Sequence, residues 1–254
     1  MKDRQPLPQR LREGPALLAT FCIIGAPEIV ELIGKAGFDA VILDTEHGPY
    51  SIETLSRLIP VAHSAGLDVI ARVRANEAAL IGGALDAGAD GVLVPQIGSA
   101  EAAKAAVAAA RFAPQGNRGA NPWVRAAGYG SRGDWFAQAN QETAVLLMIE
   151  GVEGLAALPE ILEIPFLTGV FLGPVDLSHA LGVPGQTSHP LVVEKMQAVI
   201  SAASGKGVAA AVFAAEPELA KKWRGMGVSL IAYGVDSGHV LIGLQSIVRD
   251  LSRL

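Results

Sequence analysis

The sequence lacks the features that mark secreted, membrane-embedded and nucleic-acid-binding proteins. It has one cysteine, Cys22, which excludes an internal disulfide and a metal site built from several cysteines. No apolar run approaches the ~20 residues of a membrane span, and the polar opening segment, residues 1–14, has no apolar signal-peptide core. A scattered net charge of −5 argues against nucleic acid or an anionic membrane as partner. We therefore expect a cytoplasmic protein.

Short apolar runs alternate along the chain with segments of helical pattern. Of the 254 residues, 50% are hydrophobic, enough for a large core. The apolar runs, for example 39–46 and 144–150, are continuous rather than alternating, as in parallel strands buried on both faces. Eight strand–helix units predict a single (β/α)8 TIM barrel over residues 1–254. An open doubly wound sheet is the main alternative, and residues 113–142 are expected to form a long loop.

Charged and polar residues collect at the carboxyl ends of the predicted strands, where such barrels place their catalytic groups. In strand order they are Asp44, Glu46 and His47, then Arg72 and Arg74, then Gln96, Glu150 and Asp176. The opposite strand ends carry what read as ordinary turn residues, Asp39, Asp68 and Asp90. Each group alone has a structural alternative: a carboxylate stabilises a helix start, an arginine pairs with it, and a histidine ties a turn. The convergence of several unlike groups on one mouth predicts a catalytic site.

Two carboxylates on consecutive strand ends, Glu150 and Asp176, predict a divalent cation site. They are hard oxygen ligands, which suit Mg²⁺ or Mn²⁺ with the remaining positions filled by water or substrate. Zinc is less favoured, because no set of histidines and cysteines is visible. The segment GPVD (173–176) offers backbone N–H groups at a helix start, which can hold a carboxylate. No lysine stands at a strand end, which argues against a Schiff-base route.

Ordered segments of the chain resemble the HpcH/HpaI family of metal-dependent class II pyruvate aldolases. The resemblance runs from about residue 12 to the C-terminus. The matching segments are LDTEHGPYS (43–51), VIARVR (69–74), GADGVLVPQI (88–97), GNRG (116–119), MIEG (148–151), GVFLGPVDLS (169–178) and GVD (234–236). The resemblance implies a barrel of the phosphoenolpyruvate/pyruvate type. It implies an aldehyde-lyase that cleaves or forms 4-hydroxy-2-oxo acids from pyruvate or hydroxypyruvate and an aldehyde, through an enolate.

The resemblance also implies how the donor is bound. Glu150 and Asp176 would bind Mg²⁺, Mn²⁺ or Co²⁺, which the keto and carboxylate oxygens of the donor would chelate. The backbone N–H groups of Val175 and Asp176, after Gly173, would hold the donor's carboxylate. Arg72 would face the keto oxygen and stabilise the enolate, since positive charge is most useful where negative charge develops.

Further roles in the resemblance concern the aldehyde. His47, oriented by the nearby Asp44, would carry the proton of the aldehyde step near neutral pH, with Glu46 secondary. Phe213 matches a position that lines the aldehyde pocket. Asp86 matches a residue that family members bring to the site of a neighbouring subunit.

The sequence departs from the resemblance at one position, leaves two alternative functions open and contains one misleading motif. Many relatives have glutamine where this chain has Met148, two residues before the cation-binding Glu150, although a methionine on a strand can also pack in the core. A CoA-thioester lyase of the citrate lyase β-subunit type is one alternative, and a non-catalytic barrel that binds a 2-oxo acid is another. Gly128, Gly130 and Gly133 spell G-x-G-x-x-G, but no clear strand precedes them, as a dinucleotide site requires.

The final predicted helix, residues 237–254, carries an apolar side. Its members are Val240, Leu241, Leu244, Ile247, Val248 and Leu251. Such a side can pack on its own barrel. In the family that the chain resembles, this helix is exchanged between subunits and hexamers are usual, so that we predict a homo-oligomer.

Overall fold

The computed structural model describes residues 5–252, and its strands form a closed parallel barrel. The strands follow one another around the barrel in chain order, and each pairs with its neighbours in sequence, which confirms the predicted TIM barrel and rejects the open sheet. The strands are β1 (Leu17–Cys22), β2 (Ala40–Asp44), β3 (Asp68–Arg72), β4 (Gly91–Val94), β5 (Ala144–Ile149), β6 (Gly169–Leu172), β7 (Ala209–Ala214) and β8 (Leu230–Val235).

Helices join the strands and cover the outside of the barrel. They are α1 (Leu7–Glu13), α2 (Pro27–Lys35), α3 (Ile52–Ser64), α4 (Ala78–Asp86), α5 (Ala100–Ala109), α6 (Trp135–Glu142), α7 (Val152–Ile161), α8 (Pro174–Ala180), α9 (Pro190–Gly205), α10 (Pro217–Gly225) and α11 (Asp236–Leu251). None of the helices in this described part is long and apolar enough to cross a membrane.

The segment 113–142 is more ordered than the expected long loop. It contains α6 and a 3₁₀ turn at Arg125–Gly130. Helix α6 was missed because its apolar face is short, and only Trp135 and Ala139 of the helix are buried. Gly128 and Gly130 lie within the 3₁₀ turn and follow a loop rather than a strand, so the G-x-G-x-x-G spelling is not a dinucleotide site.

Side chains of the strands alternate between the inside of the barrel and the helical layer. The inside is filled by a cluster that includes Phe21, Ile42, Ile70, Leu146, Met148 and Phe171. The larger outer cluster joins the opposite faces of the strands, for example Val41 and Val145, to the helices. Both faces are therefore buried, which explains why the strand runs are continuously apolar. Each such side chain stabilises the fold by about 1.5–3 kcal/mol when fully buried.

Helix α11 does not pack along its length on its own barrel. Its first residue, Asp236, is buried, and the carboxylate accepts hydrogen bonds from the backbone of Ser237 at the helix start and of Ile23 and Ile24 after β1. The apolar side begins at Val240, and its six members are 43–64% exposed. The alternative that this side covers its own barrel is wrong. The last two residues of the predicted helix, 253 and 254, lie outside the described residues.

Three aspartates stabilise the amino-terminal end of the barrel, although the sequence predicts them to be ordinary turn residues. Asp39 accepts from the backbone of Leu18 at 2.9 Å, and Asp90 accepts from the backbone of Val69 at 2.7 Å. Each carboxylate thus joins its own strand start to that of the preceding strand. Asp68 forms an ion pair with Arg10, which attaches α1 to the barrel.

Candidate active site

The site is built on the inward-facing positions nearest the mouth of the barrel. Because the side-chain period along a strand is two, the apolar layer inside the barrel is followed, one step towards the carboxyl ends, by a polar layer. Asp44 follows Ile42, Arg72 follows Ile70, Glu150 follows Met148, and Phe213 follows Ala211. The structure therefore brings Asp44, Arg72 and Glu150 to one end of the barrel, as the strand ends predicted.

Arg72 is the centre of a charged cluster at the ends of β2 and β3. It lies opposite Asp44 in the strand register, and its Nε donates to Oδ1 of Asp44 at 2.8 Å. Its second nitrogen, Nη1, lies 3.0 Å from Oε2 of Glu46. The guanidinium also covers the ring of Phe21, with 4.8 Å to the ring centroid. Arg72 is thus an ion-pair partner at a buried position, 8% exposed, with its fork held by two carboxylates.

The turn after β2 is held in shape by Tyr50. Its hydroxyl accepts from the backbone N–H of Asp44 at 2.8 Å and donates to the carbonyl of Cys22 at 2.6 Å, which ties β1 to β2 at the mouth. Burial raises the pKa of this phenol and of the Cys22 thiol, so both stay neutral. Gly48 is required here, because a Cβ at this position would lie 2.1 Å from the carbonyl oxygen of Asp44.

The His47 ring is placed differently from the prediction. Oδ1 of Asp44 accepts from the backbone N–H groups of Glu46 (3.0 Å) and His47 (3.3 Å), so that Asp44 shapes the turn while its carboxylate binds Arg72. The carboxylate beside the ring is Glu46, with 4.0 Å between its Oε2 and Nε2 of His47. The structure therefore does not bring the Asp44 carboxylate to the ring, and the roles of Asp44, Glu46 and His47 in proton transfer stay predictions. The His47 side chain is 67% exposed and free to meet a substrate at the mouth.

Glu150 follows β5 and Asp176 lies in the first turn after β6, on neighbouring strands that end together at the mouth. Burial raises the pKa of Glu150, and the negative charges of Asp176 and Glu46 raise it further. Burial also raises the pKa of Glu46, against the lowering effect of Arg72. The charges of three carboxylates thus act on one another near Arg72, which already binds Asp44. This donor set fits a divalent cation, because oxygen ligands and a surplus of negative charge are what Mg²⁺ and Mn²⁺ require.

The cation would be held by few protein ligands. Among residues 5–252 no group of three or more His, Cys, Asp or Glu side chains has the geometry of a metal cluster. Two carboxylates, Glu150 and the exposed Asp176 in the first turn of α8, therefore leave most coordination positions to water or substrate, as is usual for Mg²⁺. Gly173 precedes α8, and the first N–H groups of that helix, at Val175 and Asp176, lie outside its internal hydrogen bonding.

The other predicted positions are placed as follows. Met148 is 2% exposed and packs inside the barrel, as the core alternative for a strand methionine anticipated. Phe213 is half-buried near the mouth and lies 6.0 Å from Phe21, ring centre to ring centre. Asp86 ends α4 at the opposite end of the barrel and binds Nη2 of Arg118 at 2.6 Å. Within one chain Asp86 is not part of the site, so its role there stays a prediction that needs a second subunit.

Two residues that shape the site have no individual role in the sequence analysis: Tyr50, and Gln96, which is named only among the polar strand ends. Only the fold shows the Tyr50 hydroxyl between two strand ends. Gln96 follows Pro95 at the end of β4, and a polar residue after a strand-ending proline was the available signal. Its contacts with Glu46 and Glu150 come from a bend in the backbone, which the sequence pattern does not show.

Comparison with known proteins identifies the family. A sequence model described as HpcH/HpaI aldolase/citrate lyase matches residues 19–242, which is most of the chain. The chain belongs to the HpcH/HpaI family. A relative within it, the hydroxypyruvate/pyruvate aldolase of Paraburkholderia phytofirmans, is 36% identical over 97% of this chain and 97% of that protein. The 2-keto-3-deoxy-L-rhamnonate aldolase of Salmonella gallinarum is 34% identical over 91% of this chain and 87% of that protein.

Several solved structures share the barrel. A family member from Burkholderia cenocepacia J2315 superposes with a TM-score of 0.92, at 32% identity, over 97% of this chain and 98% of that chain. The citrate synthase SbnG superposes with a TM-score of 0.88, at 32% identity, over 98% of each chain. The citrate lyase β subunit of M. tuberculosis is more distant, with a TM-score of 0.59 and 20% identity over 90% and 95% of the two chains, and shares the fold alone.

Proposed function

We propose that this protein is a divalent-metal-dependent aldolase. It cleaves and forms 4-hydroxy-2-oxo acids, with pyruvate or hydroxypyruvate as the donor and an aldehyde as the acceptor. The observation that carries the proposal is the polar layer at the mouth, where the charge of Arg72 acts on Glu150, with Asp176 in the first turn of α8 and His47 at the edge. The names of the aldolase relatives support the reaction class.

The chain's own residues supply the proton transfer and the stabilisation of charge. In cleavage, the imidazole of His47 takes the proton of the C4 hydroxyl while the C3–C4 bond breaks and the aldehyde forms. The electron pair of that bond moves into the donor, whose keto oxygen becomes negative beside Arg72. Asp44 and Glu46 keep the guanidinium in place. The donor then takes a proton at C3 and leaves as the 2-oxo acid, and synthesis runs in reverse.

The cation would be held by Glu150 and Asp176, and the donor's carboxylate by the N–H groups of Val175 and Asp176. When bound, Mg²⁺, Mn²⁺ or Co²⁺ supplies Lewis-acid polarisation of the donor's keto group. Phe213, half-buried near the mouth, gives an apolar surface against which the aldehyde can rest.

Metal removal with a substrate screen tests the function. Protein stripped by a chelator and verified metal-free should cleave no 4-hydroxy-2-oxo acid, and Mg²⁺, Mn²⁺ or Co²⁺ should restore cleavage. Donor and aldehyde pairs are then screened with each metal. Full cleavage without metal would remove the proposal. Faster cleavage of a CoA thioester would favour the citrate lyase alternative, and binding of a 2-oxo acid without any turnover would favour a non-catalytic barrel.

The same proposal includes assembly of several copies, a hexamer by family resemblance. The six apolar residues of α11 stay exposed in one chain, and their size suits burial against another copy. Asp86, which ends α4 far from its own mouth, would then meet the site of a neighbouring subunit. Light scattering should find an oligomer at micromolar concentration, and Leu241→Glu with Leu244→Glu should dissociate it. A wild-type monomer under these conditions would contradict this part.

A further inference from the structure

Gln96 has an unusual backbone at the mouth of the barrel. Its φ is +57°, in the left-handed region, which a residue other than glycine or asparagine rarely occupies. The side chain is exposed, so no packing of the side chain explains the conformation. Residues held this way cluster at functional sites, where the surrounding structure enforces the strain.

The neighbours of Gln96 fix the chain on both sides. Pro95 has no N–H group and a fixed φ. Ile97 returns to the strand pairing, and its N–H donates to the carbonyl of Met148 at 3.2 Å. Helix α7 lies directly on the Ile97 carbonyl, because a Cβ on Gly154 would come within 2.5 Å of that oxygen. Gln96 therefore has to turn, and its N–H leaves the ladder between β4 and β5.

The turn aims both polar groups of Gln96 at the catalytic carboxylates. The backbone N–H donates to Oε1 of Glu150 at 2.7 Å, and this leaves the Oε2 oxygen for a cation. The side-chain amide donates to Oε1 of Glu46 at 3.3 Å. The other oxygen of Glu46 faces Arg72 (3.0 Å) and the His47 ring (4.0 Å). Gln96 thus joins the two halves of the site, the cation ligands and the charged cluster of β2 and β3.

We infer that Gln96 is a positioning residue of the proposed aldolase site. Its left-handed N–H holds Glu150 in the orientation that receives the cation, and its amide holds Glu46 beside Arg72 and His47. The inference rests on the proposed function for its activity measurements, while its effect on cation binding can be measured without any turnover. A residue kept only for structure would be glycine here, since glycine adopts this φ without strain.

Three variants separate the two contacts. Gln96→Met has similar length and keeps the backbone N–H but loses the amide. Gln96→Gly loses the amide and removes the strain, while its N–H can still reach Glu150. Gln96→Val also loses the amide. Because a β-branched residue disfavours the left-handed conformation, the backbone N–H of this variant is expected to turn away from Glu150. Gln138→Met, at an exposed amide of α6 that accepts from Arg132, is the matched control.

Three measurements distinguish positioning from structure. Turnover should fall about 10-fold in Gln96→Met and Gln96→Gly, as expected for loss of a hydrogen bond to a charged group, and about 100-fold in Gln96→Val. The Kd for Mn²⁺, measured by electron paramagnetic resonance, should stay within about 2-fold in Gln96→Met and Gln96→Gly and weaken about 10-fold in Gln96→Val. The Tm should hold or rise in Gln96→Gly, where strain is removed, so that stability and activity change in opposite directions. Gln138→Met should match the wild type throughout.

The outcomes decide each contact separately. Wild-type turnover in Gln96→Met would overturn the role of the amide, and a wild-type Mn²⁺ Kd in folded Gln96→Val would overturn the role of the N–H. A lower Tm in Gln96→Gly, with turnover reduced only by the unfolded fraction, would make Gln96 a structural residue. If the wild type cleaves no 4-hydroxy-2-oxo acid but binds Mn²⁺, the proposed function fails while the Mn²⁺ series still decides the backbone contact.

Discussion

Both ends of the barrel carry carboxylates, but those at the amino-terminal end are paired with partners, whereas those at the mouth are in surplus. At the amino-terminal end, Asp39 and Asp90 bind backbone N–H groups of the preceding strands, and Asp68 pairs with Arg10. Oδ2 of Asp90 also lies 2.9 Å from Nε2 of His63. Each of these carboxylates joins two parts of the chain. These carboxylates therefore stabilise the fold.

At the mouth, carboxylates outnumber their partners. Arg72 binds Asp44 and one oxygen of Glu46, while the negative charges of Asp176 and Glu46 both act on the buried Glu150. A cluster of this kind is held together at a cost to the metal-free fold and is relieved when a cation binds. A strand-end carboxylate is therefore identified as functional by the surplus of charge around it rather than by its position alone.

The largest effect is expected when the same substitution of asparagine for aspartate is made at each end. Asp176→Asn removes a proposed cation ligand but can still begin a helix, because asparagine caps well. We expect turnover to fall by more than about 10³-fold, with weakened Mn²⁺ binding and an unchanged Tm. Asp90→Asn should do the reverse, with turnover retained and the Tm lowered by about 2–4 °C, as for about 1 kcal/mol in a chain of this size. Kinetics and calorimetry on both variants make the test.

Equal losses of turnover in the two variants would mean that the ends do not differ in function. A large fall in the Tm of Asp176→Asn would instead show that Asp176 stabilises the fold as Asp90 does.

The next prediction concerns the two histidines that lie beside carboxylates, His47 at the mouth and His63 at the opposite end. His47→Ala should slow aldol cleavage by about 10³-fold, within the usual worth of a general acid or base, and should leave the Mn²⁺ Kd nearly unchanged. His63→Ala, beside Asp90 at the other end, should leave turnover intact. Exchange of the donor's C3 protons in deuterated water, without aldehyde, reports whether His47 also serves that step. Wild-type cleavage by folded His47→Ala would contradict the role of His47 in proton transfer. Loss of folding in this variant would show that His47 stabilises the turn after β2.

A smaller effect is expected from replacing arginine by lysine at each end. Arg72→Lys keeps the charge but loses the planar fork that binds Asp44 and Glu46. Turnover should fall by about 10²-fold, as for loss of one donor to a developing oxyanion. Arg10→Lys, opposite Asp68, should change the Tm by a few degrees at most and turnover not at all. Retained activity in Arg72→Lys would leave Arg72 as an ion pair of the fold alone.

The barrel could be predicted because its signal is repeated along the chain. Eight apolar runs buried on both faces have one common explanation, and the errors fell where burial is slight. Helix α6 was missed because few of its residues are buried, and the exposed side of α11 was open to two readings until its contacts were known. A pattern of apolar residues shows that a face will be covered, but not by which chain.

The site was predictable in its members and not in its pairings. Strand period and strand ends brought Asp44, Arg72 and Glu150 to one layer, because parallel strands in register end together. The structure places Glu46 rather than Asp44 beside the His47 ring, because the position of the ring depends on how the turn closes around Gly48 and Tyr50. The contacts of Gln96 depend on a single positive φ, which no periodicity reveals.

The mildest test measures the strain of the surplus charge itself. Burial, Asp176 and Glu46 raise the folded-state pKa of Glu150 above its unfolded value. In the metal-free protein the ionised carboxylate therefore destabilises the fold above that raised pKa, and the effect disappears below the unfolded pKa, where the group is neutral in both states. Glu150→Gln removes the charge and can still accept from the N–H of Gln96.

The metal-free Glu150→Gln protein should therefore melt about 2–4 °C above the wild type at pH 7–8, and the difference should vanish as the pH falls towards about 4. Added Mn²⁺ should reverse the order, because only the wild type gains from binding the cation. Glu142→Gln, which removes a carboxylate paired with Arg132 at the far end, should gain nothing at any pH. If Glu150→Gln melts below the metal-free wild type at neutral pH, then Glu150 stabilises the fold as Asp90 does, and the contrast between the two ends of the barrel does not hold.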